Sequence, residues 1–260
     1  MREYEYMDPL KKSNKGFSLI ELMIAMVVSL LIISGLFYSV MGDMKSYESA
    51  RGTQGLVSKS RMTVQTLRLY IQQAGFRDVN AIKFNSLYDS GTSPAGWVWG
   101  TGQVLQGAVS STTLADEKAD SDIIALRFSG ADQSGIVDCS GNNLNSTTVH
   151  EVTIYVNVNN QLMCRDNAGA ALLLDENVEF LELLYGTSDN PTRYFTAANV
   201  DDWDTVNRVK IGFLLSQEVN GNKLINNNTY TLFNHTVSAA NDTNLRAVVM
   251  ETVLIGNQGG

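Results

Sequence analysis

The chain has 260 residues, 44% of them hydrophobic, with three prolines, two histidines, two cysteines and a formal charge of −8. That length fits one domain, or one domain with an appendage, and is enough to bury a core. Charged residues make up only 18%, which excludes a disordered chain. The His and Cys counts exclude a multi-histidine metal centre and a disulfide-rich scaffold, and the net negative charge argues against general nucleic-acid binding. The charge is unevenly spread. Residues 1–80 hold ten basic and seven acidic residues, and residues 81–260 hold nine and twenty. The two parts carry +3 and −11.

In chain order, residues 1–16 are polar and end in a basic cluster of Lys11, Lys12 and Lys15. Residues 17–41, FSLIELMIAMVVSLLIISGLFYSVM, then contain a single charge, Glu21. As a helix this stretch is ~37 Å long, enough for a ~30 Å hydrocarbon core. The lysines before it predict a cytoplasmic N-terminus, with the rest of the chain across the membrane. A secretory signal peptide fits poorly, because the apolar run exceeds 7–15 residues and no A-x-A site closes it. A plain signal anchor leaves Glu21 unexplained, since a carboxylate inside a membrane helix costs ~2.5–3.5 kcal/mol.

The helical pattern continues. Ala50, Val57, Val64, Leu67, Ile71 and Ala74 recur at helical spacing and form one apolar face, and Gly75 is a stop signal. Gly52 and Gly55 each weaken the pattern by about 1 kcal/mol relative to Ala. They leave open a break between Gly42 and Gly55 into an anchor helix and a core helix. A continuous helix over 17–74 spans ~87 Å, too long for a compact domain.

Beyond residue 80 the chain reads as strands and turns. Strands are predicted at 122–128, 149–158, 161–165, 177–185, 208–215, 230–233 and 245–255, with a hairpin turn at Asn159-Asn160. Polar loops fill 85–103, 129–147, 186–204 and 217–228, and the tail 256–260 is expected to fray. The fold class is α+β: a long N-terminal helix whose amphipathic half lies on an antiparallel sheet of five or more strands.

The segment Lys15-Gly-Phe-Ser-Leu-Ile-Glu-Leu22 resembles the class III leader junction of type IV prepilins. The resemblance implies cleavage by a prepilin peptidase after Gly16, N-methylation of Phe17, and docking of Glu21 on the N-terminal amine of a neighbouring subunit. Two charges that are costly alone in apolar surroundings offset each other when adjacent. The later segments Asp122-Ile-Ile-Ala-Leu-Arg-Phe128, Asp138-Cys139-Ser-Gly141, Gln161-Leu-Met-Cys164, 178–186 and Trp203-Asp-Thr-Val206 resemble PilW-type minor pilins in combination and order. The implied organisation is a leader at 1–16, a membrane and filament-core helix at 17–41, its amphipathic continuation at 42–76 and a β-rich head at 77–260. The implied partners are other major and minor pilins, the prepilin peptidase, an inner-membrane assembly platform and a tip adhesin, with no cofactor. A minor pseudopilin of a type II secretion system shares the leader and helix. A membrane-anchored adhesin is the reading from another class.

Cys139 and Cys164 fall on the predicted extracytoplasmic side, where a disulfide is permitted. Closing that loop would stabilise by ~3 kcal/mol. Free thiols and a metal or redox pair are the other readings. His150 and His235 sit in no hydrolase or metalloprotease context, and no phosphate loop is present. Asp201, Asp202 and Asp204, and Asp116, Glu117, Asp120 and Asp122, are acidic clusters that lack the Gly and trailing Glu of a calcium loop. Trp97 and Trp99 read either as an exposed adhesive patch or as residues buried at a helix–sheet edge.

Overall fold

Helix α1 (Leu19–Gln73) runs through Gly42, Gly52 and Gly55 without a break. The structure, a computed structural model, describes residues 16–78, 80, 84–109, 116–167, 169–219 and 225–257. The lysines of the leader and residues 258–260 of the tail lie outside the described residues. The chain divides into two compact units, residues 1–47 and 48–260.

In the second unit, α1 buries Leu56, Val64, Leu67, Tyr70 and Ile71, together with Ala74 just beyond its end. Ala50 and Val57, expected on this face, are exposed. The reason is Gly52. A Cβ there would come within 2.4 Å of Val219 Cγ2, so the glycine lets the helix approach closely and sets its rotation. Leu56, four residues on, then shares the buried face, and Val57 points about 100° away from it. The helix stops where predicted: Gly75 has φ +75°, and its N–H donates to Arg127 O at 2.9 Å.

After α1 come α2 (Phe84–Leu87), β1 (Gly91–Thr92), β2 (Val98–Trp99), β3 (Leu105–Val109), β4 (Asp122–Ser129), β5 (Val149–Val156), β6 (Gln161–Asp166), β7 (Ala171–Glu176) and β8 (Val178–Thr187). Two 3-10 turns precede β9 (Val206–Gln217), which is followed by β10 (Thr229–Leu232), β11 (His235–Ser238) and β12 (Leu245–Leu254). Strands β3-β4-β5-β6-β7 form an antiparallel five-stranded sheet in that order, and β12-β9-β8 form an antiparallel three-stranded one. The expected sheet of five or more strands is present, but β8, β9 and β12 form a second sheet. The pairs β1–β2 and β10–β11 are separate hairpins. The β5–β6 turn falls at Asn159-Asn160 as expected, with Asn160 at φ 59°.

Side chains at the start of β4 make the junction between the sheets. Ser121 Oγ donates to Leu181 O at 3.2 Å and accepts from Leu181 N at 3.1 Å. Asp122 Oδ2 accepts from Leu183 N at 2.6 Å, and Tyr185 exchanges two backbone bonds with Phe195. These groups occupy the edge of β8, which would otherwise present unpaired backbone. The main core joins α1 to Ile124, Leu126 and Phe128 of β4, Val152 and Ile154 of β5, and Leu183, Ile211 and Phe213 of the second sheet. Hairpin β10–β11 covers the other face of that sheet through Leu232 against Phe180 and Leu214.

Candidate functional site

The residues before α1 are non-helical: Gly16, Phe17 and Ser18. Phe17 is 89% exposed, so the Gly16–Phe17 bond lies in an irregular, accessible segment at the helix entrance. Ser18 and Glu21 have capping-box spacing, and Glu21 completes the half of that motif that reaches back. The Ser18 N–H donates to Glu21 Oε2 at 2.9 Å. Beyond this backbone donor, Glu21 makes no ion pair among the described residues.

The first part of α1, from Leu22 to Gly42, carries no charge and is apolar all round. None of this stretch is buried by the described residues, and side chains such as Leu31 (67%) and Phe37 (66%) face outward. A helix of this composition needs an apolar environment that the described residues do not supply. Its length and composition are sufficient to cross a membrane. Hydroxyls within it are satisfied locally: Ser29 Oγ donates to Ala25 O at 2.5 Å and Ser34 Oγ to Leu31 O at 2.9 Å, as an apolar phase requires.

In the second unit, Cys139 and Cys164 form a disulfide with a Cα–Cα distance of 5.6 Å. It fastens the loop between β4 and β5 to β6. The same loop is tied to the end of α1. Gln73 accepts from Val137 N at 2.8 Å and donates to Val137 O at 3.2 Å, and Tyr70 Oη donates to Asp138 O at 3.1 Å. Burial pushes the Tyr70 hydroxyl up to about 12, with Asp138 and Asp166 adding to the shift.

The remaining sequence candidates are spread over the unit. His150 lies on β5 with Nδ1 3.8 Å from Asp166, and His235 stacks on Phe180 at 4.6 Å. Asp202 caps the 3-10 turn at 203–205, and Asp116 accepts from Tyr155 Oη at 2.9 Å. Asp122 serves the β8 edge, and burial pushes its carboxyl up to about 7 against the opposing Leu183 N–H bond. The tryptophans are not an exposed patch. Trp99 is 3% exposed, and Trp97 packs on Ile123 and Tyr155. They cover the face of the five-stranded sheet opposite the main core.

Two residues there escaped the sequence reading. Arg127 and Glu151 are directly opposed in the β4–β5 register and almost fully buried. The available signal was an arginine alternating with Ile123 and Ala125 in an otherwise apolar strand.

Residues 11–37 match the family described as Prokaryotic N-terminal methylation motif. Residues 146–257 match the family described as Type IV Pilus-assembly protein W. The first match and the exposed apolar helix are features of the type IV pilin-like class: a prepilin leader motif followed by a helix long and apolar enough to serve as a membrane anchor. The second match covers β5 through β12, makes that part of the head similar to the PilW type, and supports a minor pilin role. Both family descriptions are of structural and processing features, not of an enzyme. Among solved structures, the type IV-like pilin TTHA1219 from Thermus thermophilus superposes with a TM-score of 0.45 at 16% identity, over 78% of this chain and 98% of its own. No curated protein matches the chain.

Proposed function

We propose that this chain is a PilW-type minor pilin that is cut after Gly16, N-methylated at Phe17 and docked into a pilus through Glu21. The observation that carries the reading is the junction at residues 15–22. An irregular accessible segment, Ser18 with its N–H held by Glu21, and that single carboxylate stand at the mouth of a helix with no other charge before Asp43. Before assembly the leader lies in the cytoplasm, 17–41 cross the inner membrane, and the acidic head lies outside. Extraction into the filament moves the helix from lipid to a core of neighbouring helices, both of them apolar. The partners are major and minor pilins, the peptidase, the inner-membrane assembly platform and a tip adhesin.

Glu21 drives register. Its carboxylate is costly in an apolar core and is offset by the amine of an adjacent subunit. Glu21→Ala is expected to leave cleavage intact and abolish incorporation into pili, read by immunoblot of sheared filaments. Normal incorporation of that variant would refute the docking role. Deletion of the chain is expected to remove pili and twitching while protein secretion continues. Loss of secretion with pili retained would instead assign the chain to a type II secretion system.

A further inference from the structure

The face of the five-stranded sheet opposite the main core carries an open recess of about 250 Å³, lined by polar side chains together with Pro94, Trp99 and Val149. Arg127 (7% exposed) and Glu151 (4% exposed) reach it from below, and the β1–β2 hairpin with the segment before it forms its rim. Two opposite charges buried side by side in a sheet normally form an ion pair. Here they are held apart, each by its own partners. Arg127 stacks on Trp99, its guanidinium carbon 4.4 Å from the ring centroid, and donates to the carbonyls of Gln103 at 2.9 Å, Asp89 at 2.8 Å and Gly100 at 3.2 Å. Glu151 accepts from Trp99 Nε1 at 2.6 Å and Ser93 Oγ at 2.9 Å. Asn167, beside it, is fixed by a bond between its Oδ1 and Glu151 N at 3.2 Å.

We propose that this cavity is a binding site for one neutral pyranose unit of a glycan. The chemistry of the lining selects that class. Asp89 and Glu151 repel anions, and the Arg127 guanidinium repels metal cations. Ser93, Thr92 and Asn167 stand among Pro94, Trp99 and Val149, so the lining is mixed and suits a ligand with a hydroxyl edge and an apolar C–H face. The lining is rich in acceptors, and the guanidinium's own donors are largely taken by the three carbonyls. The fitting ligand is therefore a neutral molecule that presents several hydroxyl donors. The volume lies just below the ~300 Å³ at which drug-sized pockets begin, which suits a single sugar ring. A site whose polar groups are already positioned gives up little ordering entropy on binding. The proposal goes beyond the pilus reading and does not depend on it.

The test uses the full-length chain in a polyoxyethylene detergent, which has no sugar headgroup. Methyl glycosides of glucose, galactose, mannose and N-acetylglucosamine are titrated, with saturation-transfer NMR and tryptophan fluorescence as readouts. Saturable binding of at least one glycoside is expected, with none by glycerol or inorganic phosphate. Glu151→Gln is expected to weaken it roughly tenfold, the loss of one charge-assisted hydrogen bond. Ser90→Trp, at an exposed rim position, is expected to abolish binding with the thermal midpoint unchanged, which keeps the test independent of any folding defect in the Glu151 variant. Absence of saturable binding by all four glycosides, binding of phosphate in their place, or undiminished binding by the Ser90→Trp protein would each overturn the proposal.

Discussion

The two halves of α1 are built from similar apolar residues and treat them in opposite ways. From Leu19 to Tyr47 the large side chains are exposed, whereas from Leu56 onward one stripe is buried against the sheets. Hydrophobic burial is the main favourable term in folding, so the first half gains nothing from the fold of its own chain. Its apolar surface is left without a partner among the described residues. The lesson is that helix formation and tertiary packing are separable along one continuous element, with Gly52 near the place where packing begins.

The largest expected effect tests that separation directly. Ile71→Ala removes a fully buried side chain and is expected to destabilise the head by about 2–5 kcal/mol. Leu31→Ala, on the exposed half, should leave the thermal midpoint of the head unchanged. Calorimetry of both variants in detergent measures the contrast, and equal effects would show that the two halves stabilise one another.

A smaller effect comes from Asp122. Its carboxyl is held at about 7 in the folded chain, above the ~3.9 of an unfolded one. The folded state therefore keeps the proton longer. Its contribution to stability is fully present below about pH 4 and is lost as pH rises through 7. Asp122→Asn retains an acceptor for the Leu183 N–H and removes the titration. Denaturant melts should show a flatter stability profile between pH 4 and 7, and a gain of up to about 4 kcal/mol at pH 8. An unchanged profile would exclude Asp122 as the titrating group.

The smallest effect is at Tyr185, whose hydroxyl is buried without a hydrogen-bond partner among the described residues. It is packed so closely on Gly107 that a Cβ there would lie 2.0 Å from it. Removing an unsatisfied buried hydroxyl is neutral to stabilising. Tyr185→Phe should raise stability by up to about 1 kcal/mol, and a clear loss in equilibrium melts would reveal a partner for the hydroxyl.

The same contrast explains what was legible in the sequence. The apolar run at 17–41 and the isolated Glu21 needed no tertiary information, because composition alone sets them. The helix stop at Gly75 and strands β4, β5, β8 and β9 were visible as strong local patterns. Their hydrophobic faces are packed as the periodicity implies. The division into two sheets was not visible, because it depends on Ser121 and Asp122 acting as backbone substitutes at the β8 edge. Strand β7, Ala-Leu-Leu-Leu-Asp-Glu, is rich in helix-favouring residues and is a strand because β6 pairs with it. Phasing of the α1 stripe through Leu56 rather than Val57 depended on the contact between Gly52 and Val219. The cavity residues Arg127 and Glu151 converge only once β4 and β5 are in register, although each is unremarkable in its own strand.

The central claim is that the junction at Gly16 is a processing site, and mass spectrometry tests it most directly. Co-expression with a prepilin peptidase is predicted to yield a chain shortened by residues 1–16 that begins at Phe17 and carries one added methyl group. An intact leader of unchanged mass under the same conditions would contradict the account.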